Sequence, residues 1–382
     1  MADNKDKKVL NVPALRFPEF TEEWKEERLS KIAELSKGVG ISKEQLSEDG
    51  EPCILYGELY TKYKSEIIHK VISKTNIESS NLKRSKRNDV IIPCSGETAI
   101  DIAVARCVPF DNIILGGDLN IIRLHKDDGA FMAYQLNGKR KIDIAQLAQG
   151  VSVVHLYGEN IKAIKTYNPC LQEQQKIVKL LSMLDERIEV QNKIIEKLET
   201  LIKGIRNNII SKIKGDCITL QDIADIYQPQ TIASTDLTED GYLVYGANGI
   251  IGKYRSFNHE KEQICITCRG NTCGTVNFTE PKSWITGNAM VINTDNYAKN
   301  VNKRYLFHYL SSINFNSIIS GSGQPQIVRQ PLAKLKLILP VLIIQNRIAE
   351  CLDAMFAKMK NEQSFLQILQ IQKSCLLSQM FI

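Results

Sequence analysis

PCLQEQQKIVKLLSMLDERIEVQNKIIEKLETLIKGIRNNII, residues 169–210, and PVLIIQNRIAECLDAMFAKMKNEQSFLQILQIQKSCLLSQM, residues 340–380, carry the pattern on which the fold turns. Alternating steps of four and three from Ile177 visit Leu181, Leu184, Ile188, Gln191, Ile195, Leu198, Ile202, Ile205 and Ile209, with Gln191 the one polar stop. The same frame from Ile348 visits Leu352, Met355, Met359, Glu362, Leu366, Leu369, Lys373, Leu376 and Met380, with Glu362 and Lys373 polar. A seam repeating every 3.5 residues keeps one stripe of a helix against a partner helix, the signature of a coiled coil. Each run follows a proline, Pro169 or Pro340, and proline suits a helix start because its missing N–H would have no partner there. Two matching seams in one chain can satisfy each other, so the expected arrangement is an antiparallel intramolecular pair with 177 near 380 and 191 near 366. Gln191 and Glu362 then occupy neighbouring layers and are expected to fix register. Pairing of each seam with a different protein is the competing arrangement.

The two stretches are also copies of each other. Pro169 falls on Pro340, Gln174 on Gln345, Lys176 on Arg347, Ile177 on Ile348 and Leu181 on Leu352, at one constant shift. Upstream the correspondence continues with short insertions: Leu29-Ser-Lys-Ile32-Ala33 with Leu220-Gln-Asp-Ile223-Ala224, Tyr56-Gly57 with Tyr245-Gly246, and Ser95-Gly-Glu-Thr98 with Arg269-Gly-Asn-Thr272. The repeat is therefore a whole domain plus a helix rather than a solenoid unit. Short β-rich runs such as Val90-Ile-Ile92 and Ile264-Cys-Ile-Thr267, broken by Gly and Asn turns, predict compact α+β domains. The expected order is an N-terminal segment 1–27, a first globular domain 28–166, a first spacer helix 167–213, a second globular domain 214–338 and a second spacer helix 339–382, with pseudo-two-fold symmetry. The globular parts diverge more than the helices, as expected if the helices share a task and the domains have different targets.

Composition narrows the class. With 43% hydrophobic and 24% charged residues in 382, the chain is ordinary globular protein, and disordered or low-complexity classes are excluded. A net charge of +6 suits a nucleic-acid partner without requiring one. The longest apolar run, Leu337–Ile344, contains Pro340 and falls far short of the roughly 18 residues of a membrane span. The N-terminal MADNKDKKVL is charged where a secretory signal is apolar, so a cytoplasmic location is expected, with the ten cysteines as reduced thiols.

Several motifs resemble the specificity subunit of Type I restriction-modification enzymes: LSKGVGISKEQL and YGELYTKY in the first copy, YGANGIIGKY (Tyr245–Tyr254) and TCRGNTCGTVNF (Thr267–Phe278) in the second, and above all SGSGQPQIVRQPLAKLKLILP (Ser320–Pro340) leading into Gln345-Asn-Arg-Ile348. One departure is Ile344 before Gln345, where the family usually carries an acid, as Glu173 does before Gln174. The resemblance implies a chain without catalysis of its own, whose two globular parts are target recognition domains for an asymmetric, bipartite site in double-stranded DNA. It implies helices that carry two methyltransferase subunits, which methylate adenine N6 with S-adenosylmethionine, and restriction subunits that use ATP and magnesium to translocate and cut DNA. By analogy with dimeric readers, half-site centres should lie about one helical turn, roughly 34 Å, apart.

Base reading in the major groove favours Arg or Lys for guanine and Asn or Gln for adenine, on well-placed loops. The candidates are Lys37, Tyr60, Lys62, Tyr63, Lys64 and Ser95 in the first domain, and Asn248, Lys253, Tyr254, Arg255, Arg269, Asn271, Gln324 and Gln326 in the second. The plainer reading is that these Gly-rich turns serve folding. Lys83, Arg84, Lys86 and Arg87 either grip phosphate or form a solvated turn. Cys265, Cys268 and Cys273 imitate a metal site but lack a second ligand pair. GANGIIGKY misses the spacing and the Ser or Thr of a phosphate loop, and no Gly-rich cofactor fingerprint opens a helix. Tyr167-Asn-Pro-Cys170 resembles an adenine-methyltransferase signature, yet its counterpart Ile338-Leu-Pro-Val341 lacks the polar residue. No metal, no cofactor and no catalysis are expected in this chain. A coiled-coil scaffold that reads no DNA, and a methyltransferase in its own right, are the alternatives.

Overall fold

The computed structural model describes residues 10–78, 81–246, 249–321 and 323–382. Both periodic stretches are single helices, Leu171–Lys212 and Leu342–Gln379, and the rest is α+β. The chain forms two compact units, residues up to 192 with 365–382, and residues 193–364.

In the first unit, the apolar run at Val90 lies in strand Asp89–Pro93, which is buried throughout. It sits inside an antiparallel four-stranded sheet ordered Ala33–Lys37, Leu119–Leu124, Asp89–Pro93, Arg106–Val108. A second sheet places Glu51–Ile54 parallel to Ile114–Leu115. The domain closes where Lys25–Arg28 pairs with Lys165–Asn168, two residues before the long helix begins. The second unit repeats the plan. Its main sheet runs Asp225–Tyr227, Ala289–Asn293, Ile264–Thr267, Val276–Phe278; Tyr242–Gly246 is parallel to Trp284–Ile285; and Asp216–Thr219 closes on Lys336–Leu339. After the matched Tyr-Gly pairs the copies part. Glu58–Thr61 forms a helical turn in the first, whereas the Gly-rich second copy turns back as strand Gly249–Tyr254, because glycine tolerates the positive φ of Gly249 and Gly252.

The helices meet head to tail within each unit. In the first, Ile177 and Leu181 share a core with Met380 and Phe381, completed by Trp24, Phe131 and Tyr134. In the second, Ile210 and Ile213 pack into the core that holds Ile348 and Ala349. The beginning of one helix thus meets the end of the other, which is antiparallel pairing. No seam position is exposed: Ile177, Leu181, Leu184, Gln191, Ile195, Leu352 and Leu369 are buried, and Ile188, Leu198, Ile348, Met355, Met359, Glu362 and Leu366 are half-buried. Burying such an apolar side chain contributes about 1.5–3 kcal/mol, so the stripe is a major source of stability. Lys373 holds its seam place by charge, with Nζ 2.6 Å from Asp185 and 2.5 Å from Glu66.

Candidate nucleic-acid interface

One glutamine per domain fastens the globular body to its helix. Gln174 Nε2 donates to Asp127 Oδ1 (2.8 Å) and to the Pro169 carbonyl (2.9 Å), while its Oε1 accepts from the Asp128 N–H (2.8 Å). Gln345 does the same work: Nε2 donates to the carbonyls of Asn300 and Pro340, and Oε1 accepts from the Asn302 N–H. Asp128 and Asn302 in turn cap the short helices Gly129–Asn137 and Lys303–Leu310. The repeat exposes this pair, but its role is visible only once the fold brings the caps to the glutamines. Glu173, beside Gln174, is fully buried; it accepts from Nε and Nη2 of Arg16, each at 2.7 Å, and from the Trp24 indole N–H. The second copy has no comparable leading segment, since only three residues separate Lys212 from strand Asp216–Thr219. Ile344 therefore has no such partner to meet.

A carboxylate on each helix adds a second fastening. Asp185 accepts from Tyr134 Oη (2.7 Å) and Ser65 Oγ (3.1 Å) besides pairing with Lys373. Burial, then the nearby Asp185 charge, drive the Tyr134 phenol far above its ordinary range. Asp353 takes Arg304 and His308; burial pushes its pKa up, but those two donors hold it below the usual carboxylate value.

The candidate readers of the first domain fall into two groups. Lys37 and Lys64 are exposed and Tyr60 is half-buried. Lys62 is tied to Glu58 at 2.7 Å. Tyr63 is core: its hydroxyl accepts the Ile72 N–H, and burial pushes its phenol up to about 12. Ser95 is also buried, in a strand paired with His155. Neither of the last two has surface to offer a duplex: Tyr63 packs inward with Leu59 in the core, and Ser95 is buried.

In the second domain the fold gathers four candidates. Gly270 N–H donates to the Pro325 carbonyl and Ile327 N–H to the Cys268 carbonyl, with a bridge between Arg269 and Gln326. This seam of backbone bonds sets Arg269, Asn271, Gln324 and Gln326, all exposed, on neighbouring loops. Gly270 has φ 83°, a conformation side chains resist. Lys253 and Tyr254 are half-buried on strand Gly249–Tyr254; Tyr254 meets Trp284 edge-on at 5.0 Å, and the exposed Arg255 lies 5.7 Å over its ring. Asn248 lies outside the described residues. In the basic run, Arg84 is neutralised by both oxygens of Glu51, leaving Lys86 and Arg87 exposed.

Cys265 and Cys268 are buried in different core clusters, on opposite faces as strand alternation requires. Among the described residues no group of three or more His, Cys, Asp or Glu is placed to hold a metal ion, and no helix is long and apolar enough to cross a membrane.

The family model for the Type I restriction modification DNA specificity domain matches this sequence twice, at residues 21–200 and 216–370. The Type I restriction enzyme EcoprrI specificity subunit of Escherichia coli is 28% identical over 169 residues, 43% of this chain and 41% of that one. A putative type I restriction enzyme specificity subunit of Haemophilus influenzae is 28% identical over 116 residues, 30% of this chain and 29% of its own. The matches thus span less than half the length of either relative. The crystal structure of the Type-I restriction-modification system S subunit from M. genitalium superposes with a TM-score of 0.66, covering 97% of this chain and 99% of that one at 18% identity. At that identity the likeness speaks for the fold.

Proposed function

Since the chain belongs to the Type I restriction modification DNA specificity family, we propose that it is the subunit that reads double-stranded DNA for such a system. The observation that carries this reading is the double family match, one per domain. Each domain reads one half of an asymmetric bipartite site, and the long helices set the unread gap. Methyl transfer to adenine N6 falls to two methyltransferase subunits using S-adenosylmethionine, which supply the pocket for the flipped base. Restriction subunits, when present, supply ATP- and magnesium-dependent cleavage. This chain contributes recognition and position.

The four exposed residues Arg269, Asn271, Gln324 and Gln326 suit the major-groove code, guanidinium to guanine and carboxamide to adenine. A duplex titration of the chain with its methyltransferase subunits tests the reading. Specific binding should weaken steeply with salt, because phosphate contacts release counterions. Binding indifferent to both salt and sequence would make the protein a scaffold. Methyl transfer by the purified chain alone would make it an enzyme.

A further inference from the structure

Both domains build the same corner. In the second, the Cys268 carbonyl accepts the Ile327 N–H at 3.0 Å and Arg269 bridges Gln326; in the first, the Cys94 carbonyl accepts the Leu156 N–H at 2.7 Å and Ser95 pairs with His155. The N–H of each cysteine is matched too, donating to the Asn288 carbonyl in one copy and the Asp118 carbonyl in the other. Cys94-Ser95-Gly96 thus stands for Cys268-Arg269-Gly270, and Gln326 falls on His155 at the constant shift that lays Pro340 on Pro169. By the same correspondence Asn271 becomes Glu97 and Gln324 becomes Val153.

Backbone bonds hold this strand of the first domain on its other side as well. The His155 N–H donates to the Gln149 carbonyl at 2.7 Å, and the Gln149 N–H donates back to the His155 carbonyl at 2.9 Å. Strand alternation then sorts the side chains. Val154 and Leu156 enter the core, while Val153, His155 and Tyr157 are exposed. The His155 and Tyr157 rings lie 27° from parallel with centroids 6.3 Å apart, so each narrows the freedom of the other. Glu97, one residue beyond the paired Gly96, is exposed as well. Ser95, in the place of Arg269, is buried. None of the four exposed residues is a lysine or arginine, the side chains that grip phosphate. They offer instead a carboxylate, an imidazole, a phenol and an apolar branch, which suit base edges.

We propose that Glu97, Val153, His155 and Tyr157 form the edge with which the first domain reads bases. Glu97 accepts from an exocyclic amino group, cytosine N4 foremost; His155, oriented by Tyr157, donates to purine N7; Val153 meets a thymine methyl. This rests on the reading of Arg269 and Gln326 as base contacts, and it gives two domains of one plan different base preferences.

Selection from a pool of randomised duplexes by the chain with its methyltransferase subunits, sequenced before and after, tests it. Arg269→Ala and Gln326→Ala mark the half of the selected motif that belongs to the second domain. Glu97→Ala and His155→Ala should each lower discrimination about fivefold or more at one or two positions of the other half, leaving the marked half as in the parent. Glu97→Gln should move the preferred base at its position toward adenine, the partner of a carboxamide, a gain that a misfolded chain could not produce. A motif unaltered by the three first-domain variants, while Arg269→Ala and Gln326→Ala relax theirs, overturns the proposal alone. So does weakening that is uniform across sequences, which marks phosphate contacts. If no variant in either domain alters the motif, the reading of the whole corner falls with the proposal.

Discussion

His308 is fully buried and its Nε2 donates to Asp353 Oδ1 at 2.7 Å. Burial lowers its pKa; the Asp353 hydrogen bond and charge work the other way, and burial wins. Burial lowers His259 as well. Below pH about 6.5 the unfolded chain takes up protons that these folded imidazoles refuse, so stability falls as pH drops from there toward the depressed folded values. His308→Gln, which can still donate to Asp353, should flatten part of that acid limb, seen as a smaller difference between urea midpoints at pH 7.5 and 5.5. An unchanged difference would mean that His308 titrates alike in the folded and unfolded chain, and a larger one that the fold holds its proton more tightly. Lys373→Met leaves Glu66 and Asp185, both buried, without their cation. Stranding buried charge costs about 3–5 kcal/mol, so its urea midpoint should fall sharply. Arg269→Ala and Gln326→Ala, exposed and outside the core, should change stability by less than about 0.5 kcal/mol while relaxing base preference by about 1–3 kcal/mol each.

The helices carry the most legible signal, because a seam of period 3.5 imposes itself on sequence and structure alike. The seam positions from Ile177 to Leu198 and from Ile348 to Leu369 are buried or half-buried. The domain–helix repeat was equally visible, through Pro169 and Pro340, Gln174 and Gln345. The interface was only partly legible. YGELYTKY reads as a polar loop, yet Tyr63 packs inward, since a four-residue turn gives no periodicity from which to tell its faces apart. The polar fastenings Asp185–Lys373 and Asp353–Arg304 join residues far apart in sequence, and only the fold reveals such partners. Gln345→Ala removes three hydrogen bonds and leaves the Asn302 N–H unpaired, which should cost about 2–3 kcal/mol in chemical unfolding. Adding one heptad to each helix preserves the seam and lengthens the pair by roughly 10 Å. The unread gap should then widen by about three base pairs at 3.4 Å each; an unchanged gap would exclude the helices as its ruler.

For the whole molecule, the account is that two copies of one plan have kept their helices and fastenings while changing the surfaces that meet DNA. The copies share sheet order, closing strands and glutamine anchors, and part company after the matched Tyr-Gly pairs, where one makes a helical turn and the other a hairpin. Divergence of that kind is what separate half-site readers require. The measurement that tests this most directly is a map of N6-methyladenine across a host genome in which residues 28–166 are replaced by the equivalent domain of a relative. The account predicts that one half of the methylated motif changes and the other stays as it was. Both halves changing together, or neither, would contradict it.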